Sequence, residues 1–149
     1  MAEKIKQVYW EDVKVKQDLP QKSRVIDTTI IASGAMWASH DFMPVHHDRD
    51  FAQSKGAPDI FMNILTTSGL CGRYVSDWAG PEALLRSLEI RLGAPNYPHD
   101  TMTMSGSVLS KRSDEGRGVI ELGLRGYNHI GDHVTGSVVV ELPARGMGR

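Results

Sequence analysis

One cysteine, Cys71, stands in 149 residues, which excludes an intramolecular disulfide and any zinc or iron–sulfur site built from several cysteines. An excess of charge of one sign is also missing. The 17 basic and 18 acidic residues are interspersed and give a net charge of -1, so no extended basic face is available for phosphate backbones and nucleic acid is not an expected partner. The longest apolar run falls well short of the roughly 20 residues that cross a bilayer. The opening Met1-Ala2-Glu3-Lys4 has no signal-peptide apolar core, and a cytoplasmic protein without a membrane segment is expected. No segment repeats and none is of low complexity. With 40% apolar residues, the length suits a single domain over residues 1–149 with one core, residues 144–149 forming a frayed tail.

The stretch from Ser23 to Ala38 contains Val25, Ile26, Thr28, Thr29, Ile30 and Ile31, a β-branched series that predicts a long opening strand. Pro44 among polar residues marks a loop from His40 to Asp48, followed by a short helix from Asp48 to Lys55. Asp59 is a candidate N-cap for a helix from Ile60 to Trp78, with Gly80-Pro81 as its stop signal. That helix is apolar or small on nearly every face, which predicts that protein surrounds it. At about 1.5 Å per residue it would be close to 30 Å long, enough to cross a small sheet. Beyond it the period changes to two. Leu88, Ile90 and Leu92 alternate with polar residues, and three further rows follow: Met102, Met104, Gly106 and Val108; Ile120, Leu122 and Leu124; Val134, Val138, Val140 and Leu142. These read as strands with one buried face, turning at Gly116, Gly118, Gly131 and Asp132. The order predicts an α+β fold in which an antiparallel sheet wraps around one long central helix.

Asp41 and His46 lie five positions apart in a loop that Pro44 partly rigidifies. A carboxylate and an imidazole sharing one water can remove a proton from it and deliver one elsewhere, and imidazole suits such work near neutral pH. The spacing alone favours a plainer reading, in which Asp41 caps a turn and His46 lies on the surface. A metal site is not expected. His46 and His47 are adjacent and diverge, while His129 and His133 are separated by the turn residues Gly131 and Asp132. Cys71, inside the apolar helix, reads as a core residue rather than a nucleophile. Thr66, Thr67, Ser68, Gly69 and Gly72 keep that helix slim, for an acyl chain or for close packing alike.

The stretch from His40 to Ala52 resembles the signature of the MaoC-like, or hydratase 2, family. That signature runs Gly-Asp-x-Asn-Pro-Leu/Ile/Val-His, then five residues, then Ala or Ser. Asp41, Pro44, Val45, His46 and Ala52 fall at matching places. His40 stands where the family has Gly, and Met43 where it has Asn. The family's His-Gly pair at the start of the long helix appears as Met62-Asn63, and there Asn63 reads equally as an ordinary first-turn residue. Tyr9 to Val13 is similar to the family's opening, Tyr97 to Thr101 to its Pro-Gly-Asp-Thr strand start, and Asn128 to Asp132 to its Asn-x-x-Gly-Asp segment. The segment Asp59 to Pro81 resembles actinobacterial members linked to breakdown of steroid side chains.

The resemblance implies a hot-dog fold and an (R)-specific enoyl-CoA hydratase, with Asp41 and His46 as the catalytic pair. It implies that the backbone N–H groups of Asn63 and Ile64 hold the thioester oxygen, with Pro44 and Met43 beside the substrate. No cofactor is implied beyond the coenzyme A carried by the acyl-CoA substrate. It further implies a homodimer or a heteromer with a related hot-dog subunit, since the edges of so small a sheet need covering. Hot-dog thioesterases and acyl-carrier-protein dehydratases usually place a catalytic Asp or Glu on the central helix, and none occurs between Ile60 and Ser76. A non-catalytic subunit, its site altered at Met43 and Asn63, is the alternative; thioesterase activity comes third.

Overall fold

The computed structural model describes residues 6–114 and 117–145. The expectations placed on residues 1–4, on Gly116 and on residues 146–149 lie outside the described residues. Strands β1 (Asp18–Ile26), β2 (Leu84–Leu92), β3 (Asp100–Asp114), β4 (Arg117–Tyr127) and β5 (Asp132–Leu142) form one antiparallel sheet in the order β1-β3-β4-β5-β2. The apolar rows point to one side, where Met102, Met104, Val108, Ile120, Leu122, Leu124, Val134, Val138, Val140 and Leu142 are all buried. Helix α3 (Ile64–Ala79) supplies Cys71, Tyr74, Val75 and Ala79 to the same core, a spacing of three to four residues that keeps them on one face. The expected hot-dog arrangement is therefore present.

Helix α3 departs from the expectation in two ways. It starts at Ile64 rather than Ile60, because the Asn63 side chain, not Asp59, accepts from the first turn, at 2.9 Å from Thr66 N. Asp and Asn cap equally well. The choice between them is tertiary, since Phe61 N–H donates to Val45 O and Met62 N–H to Asn96 O, holding that segment extended. The Asp59 carboxylate instead accepts from Ile60 N and faces Arg49 Nε at 3.5 Å. Nor is the helix covered on every face, for Ile64 and Leu65 are about half exposed. Its end is as expected, with Gly80 at φ 95°.

The opening strand is the larger correction. It runs over Asp18–Ile26, ends there, and gives way to helix α1 (Thr28–Ser33) and a π-turn (Gly34–Ala38). Asp27 caps α1 through a 2.7 Å bond from Ile30 N. Strand propensities span only about 1 kcal/mol, whereas fully burying an isoleucine is worth about 1.5–3 kcal/mol. A helix places both Ile31 and Ala35, one turn apart, in the interior with no exposure. Helix α2 (Arg49–Ser54), capped by Asp48, lies where expected. At the other end of the chain, Arg145 pairs with Asp12 and its N–H bonds to Glu11.

The backbone is left-handed at His40 (φ 54°) and His99 (φ 73°). Both histidines stand where the motifs they resemble carry glycine, which reaches this region without the Cβ clash that costs other residues about 1–2 kcal/mol. His99→Gly is expected to stabilise the fold by about 0.5–1 kcal/mol, read by thermal or denaturant unfolding. Gly34 is required by a neighbour instead: a Cβ there would lie 2.7 Å from Thr66 Cγ2. Gly34→Ala should cost about 1–3 kcal/mol in unfolding free energy, with most of it recovered in the Gly34→Ala/Thr66→Ala double variant.

Candidate active site

The π-turn delivers Asp41 to the site. Ser39 closes the turn, its hydroxyl reaching the Gly34 and Ala35 carbonyls at 2.8 and 3.0 Å, and Asp41 N–H donates to Ala35 O at 2.8 Å. The left-handed residue His40 between them redirects the chain, so that the Asp41 side chain turns back toward the start of α3. Met43 N–H donates to Asp41 Oδ1 at 3.1 Å, and Pro44 then opens a 3-10 turn that carries His46 inward.

His46 is buried, which removes the surface reading of this residue, and its Nδ1 lies 2.6 Å from Phe61 O. A carbonyl can only accept, so the hydrogen is on Nδ1, and the ring in its neutral form presents the Nε2 lone pair. Nε2 is 3.4 Å from Asp41 Oδ2. Two acceptors at that separation have room for a shared donor such as water. Asp41 Oδ2 also accepts from Asn63 Nδ2 at 2.9 Å. The Asn63 amide first, then the Met43 N–H, hold the Asp41 carboxyl below the usual carboxylate range, against a smaller opposing effect of burial. Asp41 is therefore an anion at neutral pH.

The pair opens onto a cleft of about 330 Å³. Its walls are Phe61 to Ile64 on one side, Leu92 to Pro95 on the other, and His133 of β5. Gly93 brings the second wall close, since any Cβ there would collide with the Asp132 carbonyl oxygen. The backbone N–H groups of Asn63 and Ile64 meet no acceptor among the described residues, and both residues line the cleft. Such orphan donors at a helix start, reinforced by the helix dipole, suit a developing oxyanion. The other two residues expected beside the substrate do not line it: Met43 is 52% exposed, and Pro44 begins the 3-10 turn.

Three contributors were not singled out for this site from sequence: the Phe61 carbonyl that fixes the His46 tautomer, the Ser39 hydroxyl, and His133. Main-chain acceptors leave no trace in residue identity. His133, considered above only as a metal ligand, is 1% exposed, with Nδ1 2.7 Å from Ala94 O and Nε2 2.8 Å from the Thr67 hydroxyl. Burial lowers its pKa, so it stays neutral with both nitrogens in use. His129 is apart from it, exposed and 3.3 Å from Asp100. Cys71 is fully buried and its thiol is pushed up to about 11, in keeping with a core role.

Comparison with known proteins bears directly on this geometry. No family model matches the sequence. The β subunit of 3-oxo-4,17-pregnadiene-20-carboxyl-CoA hydratase from Mycobacterium tuberculosis (strain ATCC 25618 / H37Rv) is 48% identical over 124 residues, covering 83% of this chain and 92% of the relative. The crystal structure of the ChsH1-ChsH2 complex from Mycobacterium tuberculosis contains a chain 46% identical, with a TM-score of 0.80 over 87% of this chain and 98% of that one. R-Hydratase PhaJ1 from Pseudomonas aeruginosa, 18% identical, superposes with a TM-score of 0.83 over 93% of this chain and 88% of that one, a likeness of fold. The paired Asp41 and His46 and a relative identical at nearly half its positions agree: this chain belongs to the family of the 3-oxo-4,17-pregnadiene-20-carboxyl-CoA hydratase β subunit, with the hot-dog fold that the (R)-hydratases share.

Proposed function

We propose that this protein is an (R)-specific enoyl-CoA hydratase that adds water to a trans-2-enoyl-CoA, and that its substrate carries a bulky, steroid-derived acyl group. The observation that carries the reading is the 3.4 Å approach of His46 Nε2 to Asp41 Oδ2 in a cleft that Asn63 and Ile64, whose N–H groups meet no acceptor among the described residues, also line. A water beside the pair, within hydrogen-bond reach of both atoms, donates to each. As its oxygen attacks C3 of the enoyl group, one proton passes to His46 Nε2 and the electron pair of the double bond moves onto the thioester oxygen. The Asn63 and Ile64 N–H groups stabilise that enolate oxygen. Asp41 stabilises the imidazolium, which returns its proton to C2, so the pair is regenerated and one water has been added. Coenzyme A enters and leaves with the substrate, and no prosthetic group takes part.

A cleft of about 330 Å³ accommodates the thioester and its neighbouring carbons, leaving the rest of coenzyme A and any ring system to other surface. We infer that a second, related hot-dog subunit supplies it. The relative's name makes it a β subunit, and the related crystal structure is that of a complex. Half-exposed Ile64 and Leu65 on α3 and exposed Leu84 and Leu85 on the edge strand β2 give such a subunit apolar surface to cover. Among the described residues no helix is long and apolar enough to cross a membrane, and the reading places the reaction in the cytoplasm, where coenzyme A thioesters are used.

The alternative of a silent subunit is disfavoured by the intact pair: Met43 is half exposed and does not line the cleft, and Asn63 binds Asp41. Purified with its partner subunit, the wild-type protein is expected to hydrate enoyl-CoA, seen as loss of the conjugated thioester absorbance. Asp41→Asn and His46→Ala should each lower kcat/KM by about 100-fold or more while leaving assembly and circular dichroism unchanged; full activity in both would overturn the assignment. No free thiol should be released during the reaction, and thiol release at the hydration rate would indicate a thioesterase instead.

A further inference from the structure

We infer that the Asn63 side chain is a positioning residue of the hydration reaction, its carboxamide holding the Asp41 carboxylate in the orientation that shares a water with His46. This rests on the hydratase reading above and adds a role for the side chain to that of the backbone N–H. Asn63 is 3% exposed, and its amide orientation is fully determined. Oδ1 accepts from Thr66 N at 2.9 Å to start α3, so Nδ2 must face the other way. Its two hydrogens then go to Asp41 Oδ2 at 2.9 Å and to Ser39 Oγ at 3.0 Å. Ser39 must accept, because its own hydrogen is used on the carbonyls of the π-turn. Rotating the amide by half a turn would set an oxygen against the carboxylate and an NH₂ against a backbone N–H. The amide thus bridges three elements, and its one charged partner is Asp41.

The sequence carries a matching exchange. The motif that the loop resembles has a carboxamide at the position of Met43 and none at that of Asn63; here Met43 is half exposed and the carboxamide stands at the helix start, bonded to the carboxylate. Asp41 Oδ1 is held by Met43 N–H and Oδ2 by Asn63, which leaves Oδ2 directed toward His46. The titratable groups around Asp41 are His46 and His47 on its own loop. Ser39 from the π-turn and Asn63 from α3 are neutral, and His133 across the cleft is bonded to Thr67 and Ala94.

The role is separable from capping, because serine and aspartate both keep an acceptor for the first turn of α3 and both keep the backbone N–H, yet both lose the carboxamide NH₂ that spans from the cap to Asp41: the serine hydroxyl ends at the capping position, and an aspartate carboxylate has no hydrogen to donate. With the partner subunit present, Asn63→Ser should retain the unfolding temperature within a few degrees and lower kcat about tenfold with little change in KM. Asn63→Asp, as good a cap but setting carboxylate against carboxylate, should lower kcat further. A capping role alone predicts both variants near the wild-type rate, and that result would overturn the proposal. A readout free of activity is the Asp41 side-chain carboxyl titration, followed by carbon-13 NMR: its midpoint should rise in Asn63→Ser. If the wild-type pair of subunits hydrates no enoyl-CoA, the hydratase reading falls on its own, while an unmoved Asp41 midpoint in Asn63→Ser still overturns the part assigned to Asn63.

Discussion

A helix can begin only where its first N–H groups find acceptors or are left free for a purpose. In this chain both happen at one residue. The Asn63 side chain satisfies Thr66, the Asn63 and Ile64 amides are left unpaired at the cleft, and the other end of the same side chain fixes Asp41. The position of the carboxylate, the register of α3 over the sheet and the orientation of the free amides are consequently not independent. Slipping α3 by one residue in register against the sheet would rotate Cys71, Tyr74 and Val75 off the core by about 100°. The sheet thereby sets the site through the helix, and the helix through one amide.

The surroundings of the pair are arranged so that charge is confined to it. His133 lines the same cleft but is locked neutral between Ala94 and Thr67, and Phe61 places its ring edge-on to His46, with centroids 5.1 Å apart, while lending it a carbonyl. The result is one anion, one imidazole and two N–H groups that meet no acceptor among the described residues, all around a small volume. A reaction that moves a proton and forms a transient oxyanion needs each of these, and needs water to enter singly.

Much of this was legible from residue order, and the failures have identifiable causes. The period-two rows of β3, β4 and β5 survive intact because a one-residue slip would expose the whole row. Gly80 and Asp48 act where their chemistry indicated. The β-branched series from Val25 to Ile31 misled, since a cap at Asp27 and two interior positions one turn apart decide that segment. The start of α3 was ambiguous between two equivalent caps and was settled by contacts with Val45 and Asn96, distant in sequence. Asp41 and His46 were visible as a pair; Met43 and Pro44 were carried along by the motif and lie outside the cleft. What residue order could not convey was the part played by main-chain groups, such as the Phe61 carbonyl.

Cys71 sits at the middle of α3 with no solvent contact. As the sole thiol of the chain, it is closed to alkylating reagents in the native state and becomes reactive only when α3 leaves the sheet. Its labelling rate is therefore a native clock for that opening, and the folded protein contributes no sulfhydryl background of its own.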